Sequence, residues 1–241
     1  MPGFTPDFTP DCIARLKRTS TATITTQLFK RGLRNCFIQG VRPLGPLAEN
    51  MVGPAQTLRN IPAREDLDHV GVFANPEHPQ RKSVENFPAG KVWVVDCRGD
   101  ASAASGGEIL MTRLTVRGAA GVVSDGGMRD AAAIARMSLP VFCAGPSAPL
   151  NLARHHAVDI DVPIACGGVP VYPGDMIVGD SDGVVVIPAH LAEEIARDAA
   201  EQELLETFLL TRIQGGARLP DTYPPNEETR AAYEVWRQGR E

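Results

Sequence analysis

The chain has 241 residues, of which 43% are hydrophobic and 22% charged, with a net charge of −5. This balance indicates a globular protein with a sizeable core. The sequence has no basic block and no run of 18 apolar residues, so we expect neither a nucleic acid nor a membrane as partner. The N-terminus lacks the apolar core of a signal peptide, and the five cysteines are odd in number and widely spaced. Both features favour reduced thiols and a cytoplasmic location.

The first third of the chain mixes helical and extended patterns. Residues 11–35 predict two short helices interrupted at "TSTAT", because apolar residues recur there at helical spacing. Residues 36–44 and 51–61 predict strands. Residues 62–90 are polar and proline-rich, which predicts a loop with one short helix near "SVENF".

The middle of the chain has the pattern of a parallel sheet. Apolar runs at 91–97, 119–125 and 139–145 predict strands, and helical patterns at 106–118 and 129–137 lie between them. Strands joined through helices at this spacing pair in parallel with right-handed crossovers. The first of these helices is expected to place four apolar residues on one side: Ile109, Leu110, Leu114 and Val116.

The last part of the chain changes in texture. Residues 157–188 predict several short strands, the last two of which form a hairpin at Asp182-Gly183. Residues 189–216 predict a long helix, and the proline-punctuated tail predicts a short closing helix. No linker interrupts the chain, which predicts a single domain over 1–241. Its expected parts are a helical segment, a core, and a C-terminal helix with its tail, at about 1–35, 36–188 and 189–241.

Ligands of open α/β sheets collect at the carboxyl ends of the strands, which makes the loops there candidates for a site. The loop "DCRGDASAASGGE", which we call the glycine loop, leads to the start of a helix at Gly107 and Glu108. Free backbone N–H groups there would bind a carboxylate or a phosphate. An equally good interpretation is that its glycines only permit tight packing. The next loop, "SDGGMRD", is expected to break a buried strand in a glycine turn that presents Arg129 and Asp130.

Arg129 and Asp130 have the chemistry of an active site, but they also have a simpler explanation. Arginine binds carboxylate or enolate oxygens through its planar fork, and aspartate binds hard cations such as Mg²⁺. Glu108, at the neighbouring strand end, could hold one of the waters of such a cation. Alternatively the pair begins a helix, with Asp130 at the positive N-terminus, and this is the better interpretation of an arbitrary Arg-Asp pair.

Other polar residues are weaker candidates. Adjacent residues diverge on regular elements, so His155-His156 is expected to be structural rather than a metal site. His69 and His78 lie in the polar loop without an evident partner. Cys97 follows a strand near the expected site, and we expect it to be buried and inert.

The stretch "GGEILMTRLTVRGAAGVVSDGGMRD" resembles the signature of the RraA-like family, in which an acidic residue is followed, after twenty residues, by Arg-Asp. Here twenty residues separate Glu108 from Arg129. The similarity extends over roughly residues 20–215, through "MVGPAQTL", "VVDCRGD" and "PGDMIVGDSDGVVVIP". The family includes metal-dependent 4-hydroxy-4-methyl-2-oxoglutarate / 4-carboxy-4-hydroxy-2-oxoadipate aldolases and the regulator of ribonuclease E activity.

The resemblance implies a fold and a site. The fold would be a compact, layered α/β/β sandwich related to swivelling phosphohistidine-type domains, assembled as a homotrimer or a hexamer. Asp130 would bind Mg²⁺ or Mn²⁺ directly, Glu108 would hold the ion through a water, and Arg129 would bind a 2-keto acid and its enolate. A glutamate of a neighbouring subunit, Glu206 or else Glu203, would complete the metal shell through water. The substrate would bind Arg129 and the backbone of four residues: Gly107, Glu108, Ile109 and Leu110.

The activity implied by the resemblance is that of a divalent-metal-dependent carbon–carbon lyase. It would cleave a 4-hydroxy-2-oxo acid to pyruvate and a second carbonyl compound, and it could also decarboxylate oxaloacetate. The four lysines lie outside the glycine loop and the Arg-Asp segment, which favours a metal over a Schiff base. Two alternatives stay open: a non-catalytic regulator that binds an RNA-processing enzyme, and a lyase or dehydratase for a sugar-derived 2-keto acid.

The sequence departs from the aldolase pattern in three places. Glu108 stands where the aldolases often have Asp, residues 62–90 resemble an insertion, and the tail at 217–241 differs from theirs. Loops near a site set substrate choice, so the identity of the keto acid stays open.

Overall fold

The computed structural model describes residues 7–239 and contains helices around a curled β-sheet. The α-helices are α1 (Pro10–Leu16), α2 (Thr21–Lys30), α3 (Pro79–Glu85), α4 (Glu108–Val116), α5 (Ala131–Ile134), α6 (Ala192–Gln214), α7 (Leu219–Thr222) and α8 (Glu227–Gln238). The strands are β1 (Phe37–Ile38), β2 (Arg42–Pro43), β3 (Met51–Pro62), β4 (Val92–Asp96), β5 (Gly121–Met128), β6 (Val141–Pro146), β7 (His155–Ile160), β8 (Ile164–Cys166), β9 (Val169–Val171), β10 (Met176–Gly179) and β11 (Val184–Ile187).

The main sheet has the order β1-β11-β10-β3-β4-β5-β6-β2, and β7 pairs with the far end of β3. Its two end strands, β1 and β2, are joined by residues 39–41 only, so the sheet curls back towards itself. The long strand β3 connects the two halves: Met51–Pro54 pair antiparallel with β10, and Ala55–Arg59 pair parallel with β4. The strands β8 and β9 form a separate hairpin.

The parallel unit predicted from the middle of the chain is confirmed. Strands β4, β5 and β6 pair in parallel, with Val94 opposite Val123 and Val123 opposite Phe142. Because all three run in the same direction, the loops that follow them lie at one edge of the sheet. The predicted hairpin between β10 and β11 is also confirmed.

The core is divided between the two faces of the curled sheet. Inside the curl, buried residues of β3, β4, β10 and β11 pack against the β8–β9 hairpin. On one outer face, α3 and α4 cover β4 and β5 around the fully buried Trp93 and Phe87. On the other, α1, α2 and the first half of α6 cover β10 and β11. The predicted α/β/β sandwich with a long C-terminal helix is confirmed by this layering.

Four local predictions are wrong or need new boundaries. Residues 36–44 form two short pairings on different neighbours instead of one strand, because the chain turns at Gly40 (φ +77°). The apolar side expected on α4 is incorrect, since Ile109 and Val116 are 83% and 70% exposed while Met111 and Leu114 are buried. The helix expected at 129–137 is the single turn α5.

The fourth correction concerns the glycine turn expected in "SDGGMRD". Strand β5 continues through both glycines to Met128, and every residue of it is buried. A Cβ at Gly126 would lie 2.7 Å from Cys97 Sγ, and one at Gly127 would lie 2.3 Å from Ser147 Cβ. The glycines therefore let neighbouring segments approach the strand closely. No helix within residues 7–239 has the length and apolarity needed to cross a membrane.

Candidate active site

The residues of the Glu-x20-Arg-Asp pattern line a single pocket of about 140 Å³. The pocket lies at the edge of the sheet where β4 and β5 end, between the glycine loop and the N-terminus of α4. Six of the eight predicted site residues line it: Gly107, Glu108, Ile109, Leu110, Arg129 and Asp130. The wall is completed by Ala104 and Gly106 of the glycine loop, Gln80 and Arg81 of α3, and Leu150 and Asn151 after β6.

The N-terminus of α4 presents unused backbone donors to this pocket. Helix α4 begins at Glu108, after the extended residue Gly107, and no side chain caps it. The first N–H groups of a helix lack partners within the helix, so those of Ile109 and Leu110 remain free to bind an anion.

Asp130 is held beside that N-terminus by an unusual backbone conformation. Its φ of +56° and ψ of +30° lie in the left-handed region, which is uncommon for residues other than glycine. Its carboxylate does not cap α5, which follows it. Instead, the N–H of Glu108 donates to Asp130 Oδ2 at 3.2 Å. Asp130 thus begins a helix, as the alternative interpretation expects, but it does so through its main chain, and its carboxylate lies at the N-terminus of α4 instead.

Gly107 makes room for this carboxylate. A Cβ at Gly107 would lie 2.8 Å from Asp130 Oδ2 and 3.4 Å from Arg129 Cβ. The two ends of the sequence pattern thus meet at Gly107, where any side chain would obstruct the Asp130 carboxylate.

The charged groups of the pattern are free for a ligand. The side chains of Glu108, Arg129 and Asp130 are exposed, and the first two have no ion pair or side-chain hydrogen bond within residues 7–239. Arg129 is fixed through its main chain, whose N–H donates to Gly106 O at 3.0 Å. A pocket lined by an unpaired arginine and two carboxylates is suited to binding an anion together with a cation.

The donor set fits a hard divalent cation. Mg²⁺ usually binds proteins through one or two carboxylates and keeps several waters. Asp130 and Glu108 supply two carboxylates in an open pocket, and Gly107 leaves space against Asp130. Within the described chain no cluster of three or more His, Cys, Asp or Glu side chains forms a closed metal cage. Water or another subunit would therefore supply the remaining ligands.

The two predicted glutamates of the C-terminal helix do not line this pocket in the same chain. Glu203 accepts hydrogen bonds from the Ser20 N–H at 2.9 Å and from its hydroxyl at 2.7 Å. Glu206 accepts one from Gln202 Nε2 at 2.8 Å and borders an apolar depression on the surface of α6. The contribution of either residue to a neighbouring subunit stays a prediction.

The weaker candidates have structural roles. Cys97 is buried, and desolvation raises the pKa of its thiol to about 12, so it is not a nucleophile at neutral pH. His155 is buried with Nε2 3.4 Å from Ala103 O, whereas His156 Nδ1 lies 2.7 Å from Asp68 Oδ1. His78 does have a partner, since its ring meets that of Phe73 edge-on at 5.3 Å.

Three polar pocket residues escaped the sequence reasoning: Gln80, Arg81 and Asn151. The first two belong to α3, in the segment 62–90 that resembled an insertion. The predicted short helix there exists but begins at Pro79, before "SVENF". Nothing in the local pattern distinguishes these residues from a solvated loop, because their place in the pocket depends on packing against distant strands.

A larger groove, of about 510 Å³, lies between the loop 44–52 and the segment 134–141. Its only ionisable side chains are Lys17 and Glu49, which pair with each other at 2.5 Å. It therefore lacks the unpaired charges of the smaller pocket, which is the better candidate for catalysis.

Comparison with known proteins assigns the chain to a family. Residues 21–186 match the family model described as RraA-like, Aldolase/RraA. The chain belongs to the RraA-like family. A Halalkalibacterium halodurans protein named "Putative 4-hydroxy-4-methyl-2-oxoglutarate aldolase" is 36% identical over 160 residues, which cover 66% of this chain and 70% of that protein.

Solved structures of RraA-like fold agree with this assignment. Streptomyces coelicolor RraAS2, described as an unusual member of the RNase ES inhibitor RraA protein family, is 33% identical with a TM-score of 0.73 over 86% of this chain and 98% of its own. An uncharacterized Pseudomonas syringae protein shares the fold, with 23% identity and a TM-score of 0.80 over 92% and 97% of the two chains. The predicted family and fold class are both confirmed.

Proposed function

We propose that this RraA-like protein is a divalent-metal-dependent carbon–carbon lyase that cleaves a 4-hydroxy-2-oxo acid to pyruvate and a second carbonyl compound. The observation that carries the proposal is the hydrogen bond from the Glu108 N–H to Asp130 Oδ2, at 3.2 Å. It brings both ends of the family pattern into one pocket, beside free backbone donors. The name of the H. halodurans relative supports the same reaction class.

Asp130 would hold Mg²⁺ or Mn²⁺ directly, and Glu108 would hold it through a water. When bound, the ion supplies Lewis-acid stabilisation of negative charge on the keto oxygen. Arg129 contributes a second positive charge and orients the 2-keto acid through its fork. The N–H groups of Ile109 and Leu110 bind the adjacent carboxylate. No lysine lines the pocket, which is consistent with an enolate rather than a Schiff-base intermediate.

Glu108 would also serve in proton transfer. Breaking the C3–C4 bond removes the proton of the C4 hydroxyl, and pyruvate forms when C3 gains a proton. The Glu108 carboxylate is exposed and makes no hydrogen bond within residues 7–239, so it is free to relay these protons through water. Decarboxylation of oxaloacetate would use the same enolate and the same groups.

The test is a coupled assay for pyruvate on a panel of 2-oxo acids, run with Mg²⁺, with Mn²⁺ and after chelation. Asp130→Ala should lose about 100-fold or more of kcat/KM, since several kcal/mol of charge stabilisation disappear. Asp182→Ala, which removes an exposed carboxylate in the β10–β11 hairpin, serves as the matched control. Full activity in Asp130→Ala, or after thorough chelation, would exclude the proposed mechanism.

A second candidate function is regulation of an RNA-processing enzyme. It is favoured by the description of S. coelicolor RraAS2, whose structure covers most of this chain. Binding of ribonuclease E in a pull-down, without pyruvate release from any 2-oxo acid, would support it. The unpaired charges of the pocket favour the lyase, because a surface-binding regulator does not need them. A lyase or dehydratase for a sugar-derived 2-keto acid would show in the same panel of substrates.

We also propose a homotrimer or hexamer, located in the cytoplasm, in which Glu206 completes the metal shell of a neighbouring subunit. Glu206 is a better candidate than Glu203, because Glu203 is occupied by two hydrogen bonds from Ser20. Light scattering would measure the number of subunits in the assembly. Loss of Mg²⁺ activation in Glu206→Gln, with the assembly intact, would support the role of this residue.

A further inference from the structure

The segment 62–90 brings a helix to the rim of the active-site pocket. Helix α3 begins at Pro79, and its second residue, Gln80, is only 3% exposed. Gln80 Nε2 donates to Ser105 O at 2.8 Å, which fixes α3 to the glycine loop. Gln80 lines the pocket, and its Oε1 is buried without a hydrogen-bond partner within the described chain. The start of α3 is therefore held firmly against the pocket.

The next residue, Arg81, is a cation without a counter-charge. It lines the same pocket, and within residues 7–239 its guanidinium makes no ion pair and its buried Nε makes no hydrogen bond. It lies over the ring of Phe73, with Cζ 4.2 Å from the ring centre. Burial lowers its pKa from the usual value, which reports the cost of holding this charge away from water.

Other cations around α3 are neutralised by partners. Lys82 pairs with Glu77 at 2.6 Å, and Arg113 on the adjacent α4 pairs with Glu85. The absence of a partner at Arg81 is therefore specific to the one cation of α3 that faces the pocket. A partly buried cation in this position is stabilised when an anion binds next to it.

The two arginines of the pocket offer separate positions for anionic groups. Arg81 and Arg129 both line it, and neither has an ion pair within residues 7–239. Glu108 and Asp130 are the proposed ligands of the divalent cation. Arg129 and the N-terminus of α4 would bind one carboxylate of the ligand, which leaves Arg81 for a second.

We propose that Arg81 is a specificity-determining residue that binds a second carboxylate of the substrate and so selects 4-hydroxy-2-oxo dicarboxylates over the corresponding monocarboxylates. The inference rests on the proposed lyase function. For 4-hydroxy-2-oxoglutarate the C3–C4 bond breaks to give pyruvate and glyoxylate. The proton lost from the C4 hydroxyl is balanced by the proton gained at C3, and no redox partner is needed. Arg81 contacts the carboxylate that leaves with glyoxylate.

The experiment compares 4-hydroxy-2-oxoglutarate with 4-hydroxy-2-oxopentanoate, which has a methyl group in place of the second carboxylate and yields pyruvate and acetaldehyde. Arg81→Met keeps a long, unbranched apolar side chain at this position but removes the guanidinium that lies over Phe73. It should lower kcat/KM for the dicarboxylate about 10- to 100-fold and leave the monocarboxylate unchanged. Arg81→Lys should recover part of the loss, and Lys82→Met, one position along the same helix, should change neither substrate.

Activity on the monocarboxylate also shows that Arg81→Met is folded. An equal loss on both substrates, or none on the dicarboxylate, overturns the inference while leaving the lyase function intact. If the wild type releases pyruvate from neither compound, calorimetry decides. 2-Oxoglutarate should then bind with Mg²⁺ at least about 10-fold more tightly than 2-oxopentanoate in the wild type but not in Arg81→Met. Equal binding of the two acids by the wild type refutes the role of Arg81 independently of turnover.

Discussion

Replacing Gly107 with alanine should reduce activity without unfolding the protein. Gly107 has φ −145° and ψ −176°, an extended conformation that alanine adopts readily. The new Cβ would lie 2.8 Å from Asp130 Oδ2, whereas an ordinary contact begins at 3.4 Å. The carboxylate oxygen must therefore retreat by about 0.6 Å, and it is the end of a side chain, so it can move without displacing the backbone.

The substitution should affect activity more strongly than stability. Displacing a reacting group by about 1 Å can cost about 100-fold in rate, so a shift of this size should lower kcat/KM about 10-fold. Weakening the hydrogen bond from the Glu108 N–H destabilises the fold, but alanine also restricts the unfolded chain, which opposes that loss. The free energy of unfolding should change by no more than about 1 kcal/mol.

Pyruvate release and urea denaturation measure these two quantities on the same preparations. The Mg²⁺ concentration for half-maximal activity should rise in Gly107→Ala, because the displaced carboxylate is the proposed ligand. Gly106→Ala is the matched control, since its Cβ would meet the flexible end of Met111 at 3.0 Å and no carboxylate. Wild-type kinetics in Gly107→Ala, or equal losses in both variants, would show that the Asp130 carboxylate does not act from this position.

Three further predictions concern stability. Gly127→Ala should destabilise the fold by at least about 1–3 kcal/mol in urea, because its Cβ would lie 2.3 Å from Ser147 Cβ inside a buried strand. Hydrogen bonds from a nearby serine are the main reason that the pKa of Asp100 is lowered to about 2. The ionised carboxylate therefore stabilises the fold at pH values above the pKa that it has in the unfolded chain. Wild-type stability should thus fall by about 1 kcal/mol more than that of Asp100→Asn as pH drops from 4 to 2. Phe208→Ala should speed hydrogen exchange in α8 but not in β4, because the Phe208 ring lies 5.4 Å from that of Trp236.

The parallel unit could be predicted from sequence because its signals are local. Apolar runs mark β4, β5 and β6, and helical spacing marks the connections between them. The pairing of Glu108 with the Arg-Asp segment could also be predicted, since the carboxyl ends of neighbouring parallel strands lie side by side. The family resemblance then gave Arg129 and Asp130 roles that the residues alone left open.

The errors have a common physical origin in non-local packing. Gly126 and Gly127 are typical of a turn, yet they lie in a strand, where glycine is needed because other segments pack too closely for a side chain. Ile109 looks like a core residue, yet it lies at the rim of a pocket. Arg81 gave no signal, because only the packing of α3 on the glycine loop brings it to the site. The periodicity of apolar residues predicts the secondary structure of a segment, but it does not predict which distant segment packs against a given residue.

Strand β3 determines when the protein can finish folding during synthesis. Its first residues, from Met51, pair only with β10, and its last residues pair with β7, both encoded near the C-terminal end of the core. The nascent chain therefore carries the first residues of β3 unpaired until Gly179 has left the ribosome. Chaperone binding during translation should concentrate in this interval, and a ribosome stalled before β10 should hold a chain without a completed active-site sheet.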